Sequence, residues 1–277
     1  MEKIKYGRFP YNLLKPAENN RNGFAAILYH GWGTTADSYT GLAEKIAEKG
    51  YIVIIPEIVY HDSRNPLTNW FDKKVIRKYF WKTIVESIEE FEEFFQGLGI
   101  AKEKTLLIGS SMGGFIANGI FSFQKDLGGL VNINGSGSFV LTEKLFRERD
   151  GRPALTAEEE AFLSQFDPVQ KEKCASPVLL MHGDQDTTIP IAGQERYFQH
   201  LKEKEGRENA KFLIFPGVNH QITEAVVERL LNWLEEVQKM QVWRTEMTKE
   251  LVVEILNWRY AEPYDFYNND VTEEGLQ

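Results

Sequence analysis

The chain has 277 residues, is 42% hydrophobic and 26% charged, and carries a net charge of −9. That length can bury a core large enough for one α/β domain with additions, and the acidic balance excludes nucleic acid or an acidic membrane surface as main partner. No apolar run approaches the roughly 20 residues that a bilayer span requires, the first residues lack the apolar core of a signal peptide, and a single cysteine, Cys174, allows no internal disulfide, so a cytoplasmic setting is expected.

In chain order, short apolar runs predict strands at residues 4–14, 24–29, 51–55, 105–108, 130–133, 178–181 and 212–215. Amphipathic runs predict helices at 39–49, 73–96, 114–124, 191–204 and 222–237. Continuous apolar strands alternating with such helices imply a mostly parallel sheet covered on both faces. Two stretches interrupt the alternation. Residues 57–81 carry Tyr60, Trp70, Phe71, Tyr79, Phe80 and Trp81 among charges. Residues 136–173 carry Phe139, Leu145, Phe146, Phe162, Leu163 and Phe166 at broadly helical spacing. Both leave strand ends on one edge, so they are expected as small cap insertions of a domain spanning 1–240, and an aromatic-lined cap would suit an apolar acyl or aromatic ester.

The strand at 105–108 runs into Gly109-Ser110-Ser111-Met112-Gly113-Gly114 and then a helix. Such a G-x-S-x-G turn is strained, and glycines beside the serine relieve the crowding. The strain lifts Ser111 toward a base and aims backbone N–H groups at the same space, which makes Ser111 a candidate nucleophile. His220 follows the strand at 212–215 and opens on the same sheet edge, where ligands gather in open α/β sheets; it is the candidate base. The acid lies in His182-Gly183-Asp184-Gln185-Asp186 after the strand at 178–181. Asp184 and Asp186 compete for that role, and Asp186 is favoured because it lies deeper in the loop. The order serine, acid, histidine is that of α/β-hydrolases.

The strand at 24–29 ends in His30-Gly31-Trp32-Gly33, where glycines permit a sharp turn and a close backbone approach. The N–H groups of Trp32 and Met112 are the candidate oxyanion donors. His30 and His182 are expected to hold their loops. His61 and His200 lie in polar segments, expected to be exposed, and carry no functional signal. No Cys/His cluster has zinc spacing, and no dinucleotide or phosphate-loop motif is present, so neither a metal nor a cofactor is expected.

Together, His30-Gly31-Trp32-Gly33, Gly109-x-Ser111-x-Gly113-Gly114, His182-Gly183-x-x-Asp186-x-x-Ile189-Pro190 and Asn219-His220 resemble the α/β-hydrolase superfamily. Within it they are similar to bacterial esterases related to dienelactone hydrolases and to prolyl oligopeptidase catalytic domains, over roughly residues 20–238. The resemblance implies Ser111 as nucleophile, Asp186 as acid, His220 as base and Trp32 and Met112 as backbone donors. The implied activity is cleavage of small carboxylic esters through an acyl-enzyme. A serine peptidase and a non-catalytic ligand receptor are the alternatives. The chain departs from dienelactone hydrolases in carrying serine where they carry cysteine, and it has no recognisable β-propeller region. Beyond the domain, residues 241–277 form an extension with an expected short strand at 242–245 and a helix at 248–257. The run from Trp258 to Asn268 resembles the opening of a GNAT acetyltransferase, cut before any acetyl-CoA loop; a plain helical extension is the other reading.

Overall fold

A computed structural model describes the backbone of residues 1–171 and 175–260, with side chains through residue 242. Cys174 and most of the acetyltransferase-like run lie outside the described residues. The strands in chain order are β1 (Glu2–Tyr6), β2 (Phe9–Leu14), β3 (Ala25–Tyr29), β4 (Ile52–Pro56), β5 (Thr105–Ser110), β6 (Gly129–Ile133), β7 (Val178–Gly183) and β8 (Ala210–Phe215). The helices are α1 (Thr40–Glu48), α2 (Lys73–Glu89), α3 (Phe91–Gln96), α4 (Met112–Phe123), α5 (Phe139–Arg149), α6 (Ala157–Ser164), α7 (Ala192–Gln199) and α8 (Glu224–Tyr260). The chain divides into two compact units, residues 1–237 and 238–277.

The strands form one eight-stranded sheet in the order β1-β2-β4-β3-β5-β6-β7-β8. β4, β3, β5, β6, β7 and β8 run parallel to one another, whereas β2 pairs antiparallel with both β1 and β4. Every residue of β3, β5, β6 and β7 is buried, which is why these strands read as continuous apolar runs rather than alternating ones. Their side chains still alternate between two cores. Ile27 and Tyr29 of β3 point into one with Phe115 and Ile116 of α4 and Ile84 of α2. Ala26 and Leu28 point into the other, with Ile46 of α1 and Leu230, Trp233 and Leu234 of α8. Each such fully buried aliphatic side chain stabilises the fold by about 1.5–3 kcal/mol.

Several boundaries differ from expectation. Residues 4–14 form not one strand but a hairpin, with Tyr6 opposite Phe9 and Gly7 at φ +55 in the two-residue turn; a tight hairpin of this kind needs positive φ, which glycine adopts readily. The long helix expected at 73–96 is broken at Glu90, whose carboxylate is clasped by both terminal nitrogens of Arg64 at 2.6 and 2.7 Å. The helix expected at 191–204 ends at Gln199 and continues as a π-helical turn, His200–Lys204. Residues 242–245 are helical within α8, not a strand. Residues 73–81 belong to α2, so only the loop before them is inserted between sheet-covering elements.

Candidate active site

β5 leaves the sheet at Ser110 and α4 begins at Met112, so a single residue turns the chain. That residue, Ser111, has φ 56 and ψ −124, a sparsely populated conformation for a side-chain-bearing residue that costs about 1–3 kcal/mol. Its N–H is tied to Ile133 O of β6 at 2.9 Å. The glycines exist for close approach. A Cβ on Gly113 would strike the Tyr29 carbonyl, and one on Gly109 would strike the Gly113 carbonyl. Beneath the turn, buried Asn132 donates to Gly114 O at 3.1 Å and to Asn118 Oδ1 at 2.7 Å, and accepts from Gly135 N at 3.0 Å.

The structure brings the three sequence-selected side chains together. His220 Nε2 lies 2.8 Å from Ser111 Oγ, and His220 Nδ1 lies 2.7 Å from Asp186 Oδ2. The other Asp186 oxygen accepts the N–H groups of Thr188 at 2.8 Å and Ile189 at 2.9 Å. Burial would push the Asp186 carboxyl up, but hydrogen bonds from His182, His220 and the Ile189 N–H outweigh it and hold the group well below the usual carboxylate range. It therefore presents a fixed negative charge to the imidazole, which selects the tautomer with the proton on Nδ1 and leaves Nε2 to accept from Ser111.

Asp184 is the aspartate that does not reach the histidine. It is exposed and accepts the Gly217 N–H at 2.7 Å, which ties the β8–α8 loop to the loop after β7. Asn134 joins the same loops from the end of β6: it accepts the Gly183 N–H at 3.1 Å and donates to Gln221 O at 3.2 Å. Asn219 Oδ1 accepts the N–H of Thr187 at 3.0 Å and of His220 at 2.7 Å. His182, fully buried, sits 3.0 Å from Ile189 O and 3.3 Å from Asp186 Oδ2, so it braces the acid loop as expected.

The loop after β3 packs against the serine turn, since a Cβ on Gly31 would come within 3.3 Å of Ser111 Cβ. Gly31 N donates to the Tyr39 hydroxyl at 3.2 Å, and the Trp32 indole donates to Trp70 O at 2.9 Å. The backbone N–H groups of Trp32 and Met112 donate to no other group among the described residues, and Met112 stands at the N-terminus of α4, where unpaired N–H groups favour developing negative charge. His30 is fully buried with Nε2 3.0 Å from Asp62 Oδ2, and Asp62 Oδ1 accepts the Ala36 N–H at 3.0 Å.

His61 overturns the expectation of an exposed, uninformative residue. It is 0% exposed, stacks against Trp70 with ring centroids 4.2 Å apart, and its Nε2 accepts the Gly33 N–H at 3.1 Å. Its Nδ1 donates to Val59 O at 3.2 Å. Burial, with the neighbouring His30 adding to it, pushes its pKa down to about 4, so the neutral ring braces the loop that carries Trp32. Its polar neighbours hid this role; the signal that would have found it is position, because His61 follows β4 on the same strand edge as Ser111. His200 is also partly buried, 3.1 Å from Glu205, and lies on a different element from the site.

Residues of both expected insertions line, with α2, a cavity of about 830 Å³ that Ser111 and His220 also line, with Trp32, Phe80 and Phe146 in its walls. α5 is fastened to α2 through Glu143, only 4% exposed, which accepts the Trp81 indole N–H and Arg147 and Arg152 at 2.8 Å each. Among the described residues, no group of three or more His, Cys, Asp and Glu side chains is placed to hold a metal ion, and no helix is long and apolar enough to cross a membrane.

Comparison with known proteins agrees with this architecture. The esterase YjfP of Escherichia coli is 28% identical over 228 residues, covering 76% of this chain and 87% of its own length. Among solved structures, TT1662 from Thermus thermophilus matches 86% of this chain and 97% of its own with a TM-score of 0.67 at 19% identity. Est1E from Butyrivibrio proteoclasticus matches 85% and 98% with a TM-score of 0.59 at 17% identity. These structures establish the α/β-hydrolase fold. The model of the prolyl oligopeptidase family matches residues 39–241, and the chain, an α/β-hydrolase, belongs to that family.

Proposed function

We propose that the protein is a serine hydrolase that cleaves carboxylic esters through an acyl-enzyme intermediate. The observation that carries this reading is the continuous hydrogen-bonded line from Ser111 Oγ through His220 to Asp186. As Ser111 Oγ attacks the ester carbonyl, His220 Nε2 takes its proton, and Asp186 stabilises the imidazolium. The carbonyl oxygen gains negative charge facing the N–H groups of Trp32 and Met112; removing one such donor typically costs about 3–4 kcal/mol of transition-state stabilisation. The imidazolium then protonates the leaving alcohol oxygen as the carbon–oxygen bond breaks. Water, deprotonated by His220, attacks the acyl-enzyme, and Ser111 regains its proton as the acid departs. The relationship to an esterase of Escherichia coli supports ester over amide cleavage.

A serine peptidase is the second reading, favoured by the family's name. Fluorophosphonate labelling, with the adduct mapped to Ser111, tests the nucleophile. A panel of p-nitrophenyl esters and aminoacyl p-nitroanilides then separates the two readings: turnover of esters alone supports the esterase, and turnover of anilides at comparable kcat/KM overturns it. The partner in this reading is a small-molecule ester alone, with no metal, cofactor or nucleic acid. A cytoplasmic setting follows as part of the proposal from the single cysteine, and cell fractionation tests it.

A further inference from the structure

On the ester-hydrolase reading, the cavity above Ser111 distinguishes the two halves of the substrate. In the tetrahedral adduct, the carbon carries Ser111 Oγ, an oxyanion directed at Trp32 and Met112 N–H, a leaving oxygen and the acyl chain. The leaving oxygen must face His220 Nε2, because that atom protonates it. The acyl chain takes the remaining direction, away from His220.

The walls differ on the two sides. Phe80 of α2 is the centre of the aromatic side: its ring lies 6.0 Å from Trp32, 5.4 Å from Trp81 and 6.0 Å from Phe146. Ile76, one turn earlier on α2, extends that wall. Phe71, 77% exposed, continues it to the mouth against Gly33. On the His220 side the wall turns polar. Arg149 donates to Thr187 O at 3.2 Å and Thr188 O at 2.8 Å, beside Asp150. The buried Glu143 bond to the Trp81 indole fixes the spacing between α2 and α5, so the aromatic wall is built and not merely collapsed.

We propose that the substrate is an ester of a bulky apolar acid, of medium-chain or arylalkyl type, whose acyl group seats on the Phe80–Ile76 wall while its alcohol half leaves past Arg149. An acetyl group would leave most of the 830 Å³ cavity without contact, and the Phe80 and Ile76 side chains give a hydroxylated or charged acyl group nothing to replace its hydration, although Lys73, Arg77, Arg147 and Arg152 also line the cavity. Binding energy from the apolar chain is available to the transition state only if the chain reaches that wall.

The test compares p-nitrophenyl acetate and octanoate on the full chain, with fluorophosphonate labelling of Ser111 run in parallel. The expected kcat/KM for octanoate exceeds that for acetate by at least about tenfold, the scale of added apolar contact in a fitted pocket. Ile76→Trp, which fills the wall from a half-buried position, should shrink the octanoate-to-acetate ratio by at least about fivefold, mainly through KM for octanoate. Phe71→Ser, at a side chain too exposed to threaten folding, should shrink the ratio by about two- to fourfold. A labelled enzyme that turns over acetate as well as octanoate overturns the substrate class and leaves the hydrolase reading standing. Equal loss on both esters in both folded variants also overturns it. Failure of labelling together with no turnover of any ester overturns the hydrolase reading itself.

Discussion

His61 Nε2 accepts the backbone N–H of Gly33 at 3.1 Å. Through that bond a side chain from the loop after β4 supports the turn after β3 that carries Trp32 and packs against the Ser111 turn. The acceptor role requires an unprotonated Nε2, and burial supplies it by depressing the pKa to about 4.

This has a pH signature in stability. The unfolded histidine titrates near about 6.5, so between about pH 6.5 and 4 the unfolded chain binds a proton that the folded chain does not. A depressed folded pKa therefore contributes stability that is complete above the unfolded value and lost as pH falls toward 4, by as much as about 3 kcal/mol. Urea unfolding of wild type and His61→Asn across that window measures it. The variant should lose stability less steeply on acidification; an unchanged slope would show that His61 is not held neutral.

Ser111→Ala should remove ester hydrolysis by on the order of a million-fold in kcat, with the circular dichroism spectrum intact, because the side chain sits on the cavity and not in either core. Ser110→Ala should retain most activity. Retention of more than about a tenth of wild-type turnover in Ser111→Ala would remove the nucleophile assignment.

Asp186→Asn should lower kcat by about 10⁴ through loss of the tautomer that leaves Nε2 free to accept. Asp184→Asn disturbs only the bond to Gly217 N and should cost far less. Steady-state kinetics on one ester decides between them, and a reversed order would reassign the acid.

Asn134→Ala should destabilise the fold by about 1–3 kcal/mol, because it strands the buried Gly183 N–H. It should also lower kcat, since Asn134 links the Asp186 loop to the backbone beside His220 through Gln221 O. Denaturant melts and kinetics measured on the same preparation check both; a stable variant with full kcat would show that Asp184 and Asn219 hold the loops unaided.

Much of this molecule was legible in the chain. Apolar runs such as Leu106–Leu107–Ile108 and the glycines around Ser111 report local requirements: burial on both faces of a strand, and close approach at a turn. They therefore located the central strands, the serine turn and three loops on one sheet edge. Where local signals were weak, boundaries moved. Gly7 split the first strand into a hairpin, and α2 ends and α3 begins at Glu90, whose carboxylate is held by Arg64.

The sequence favoured Asp186 as the acid, but the separate partners of Asp186 and Asp184, and the role of His61, belonged to tertiary structure. Two aspartates two residues apart have nearly the same sequence context, yet Asp186 turns inward to His220 while Asp184 turns to Gly217. His61 sits among polar neighbours, and only the packing of Trp32, Trp70 and His30 around it removes water and makes it a neutral acceptor. Periodicity records which face of its own element a residue prefers. Which side chain meets it across another loop, and how much water remains between them, is decided only when the strands are placed side by side.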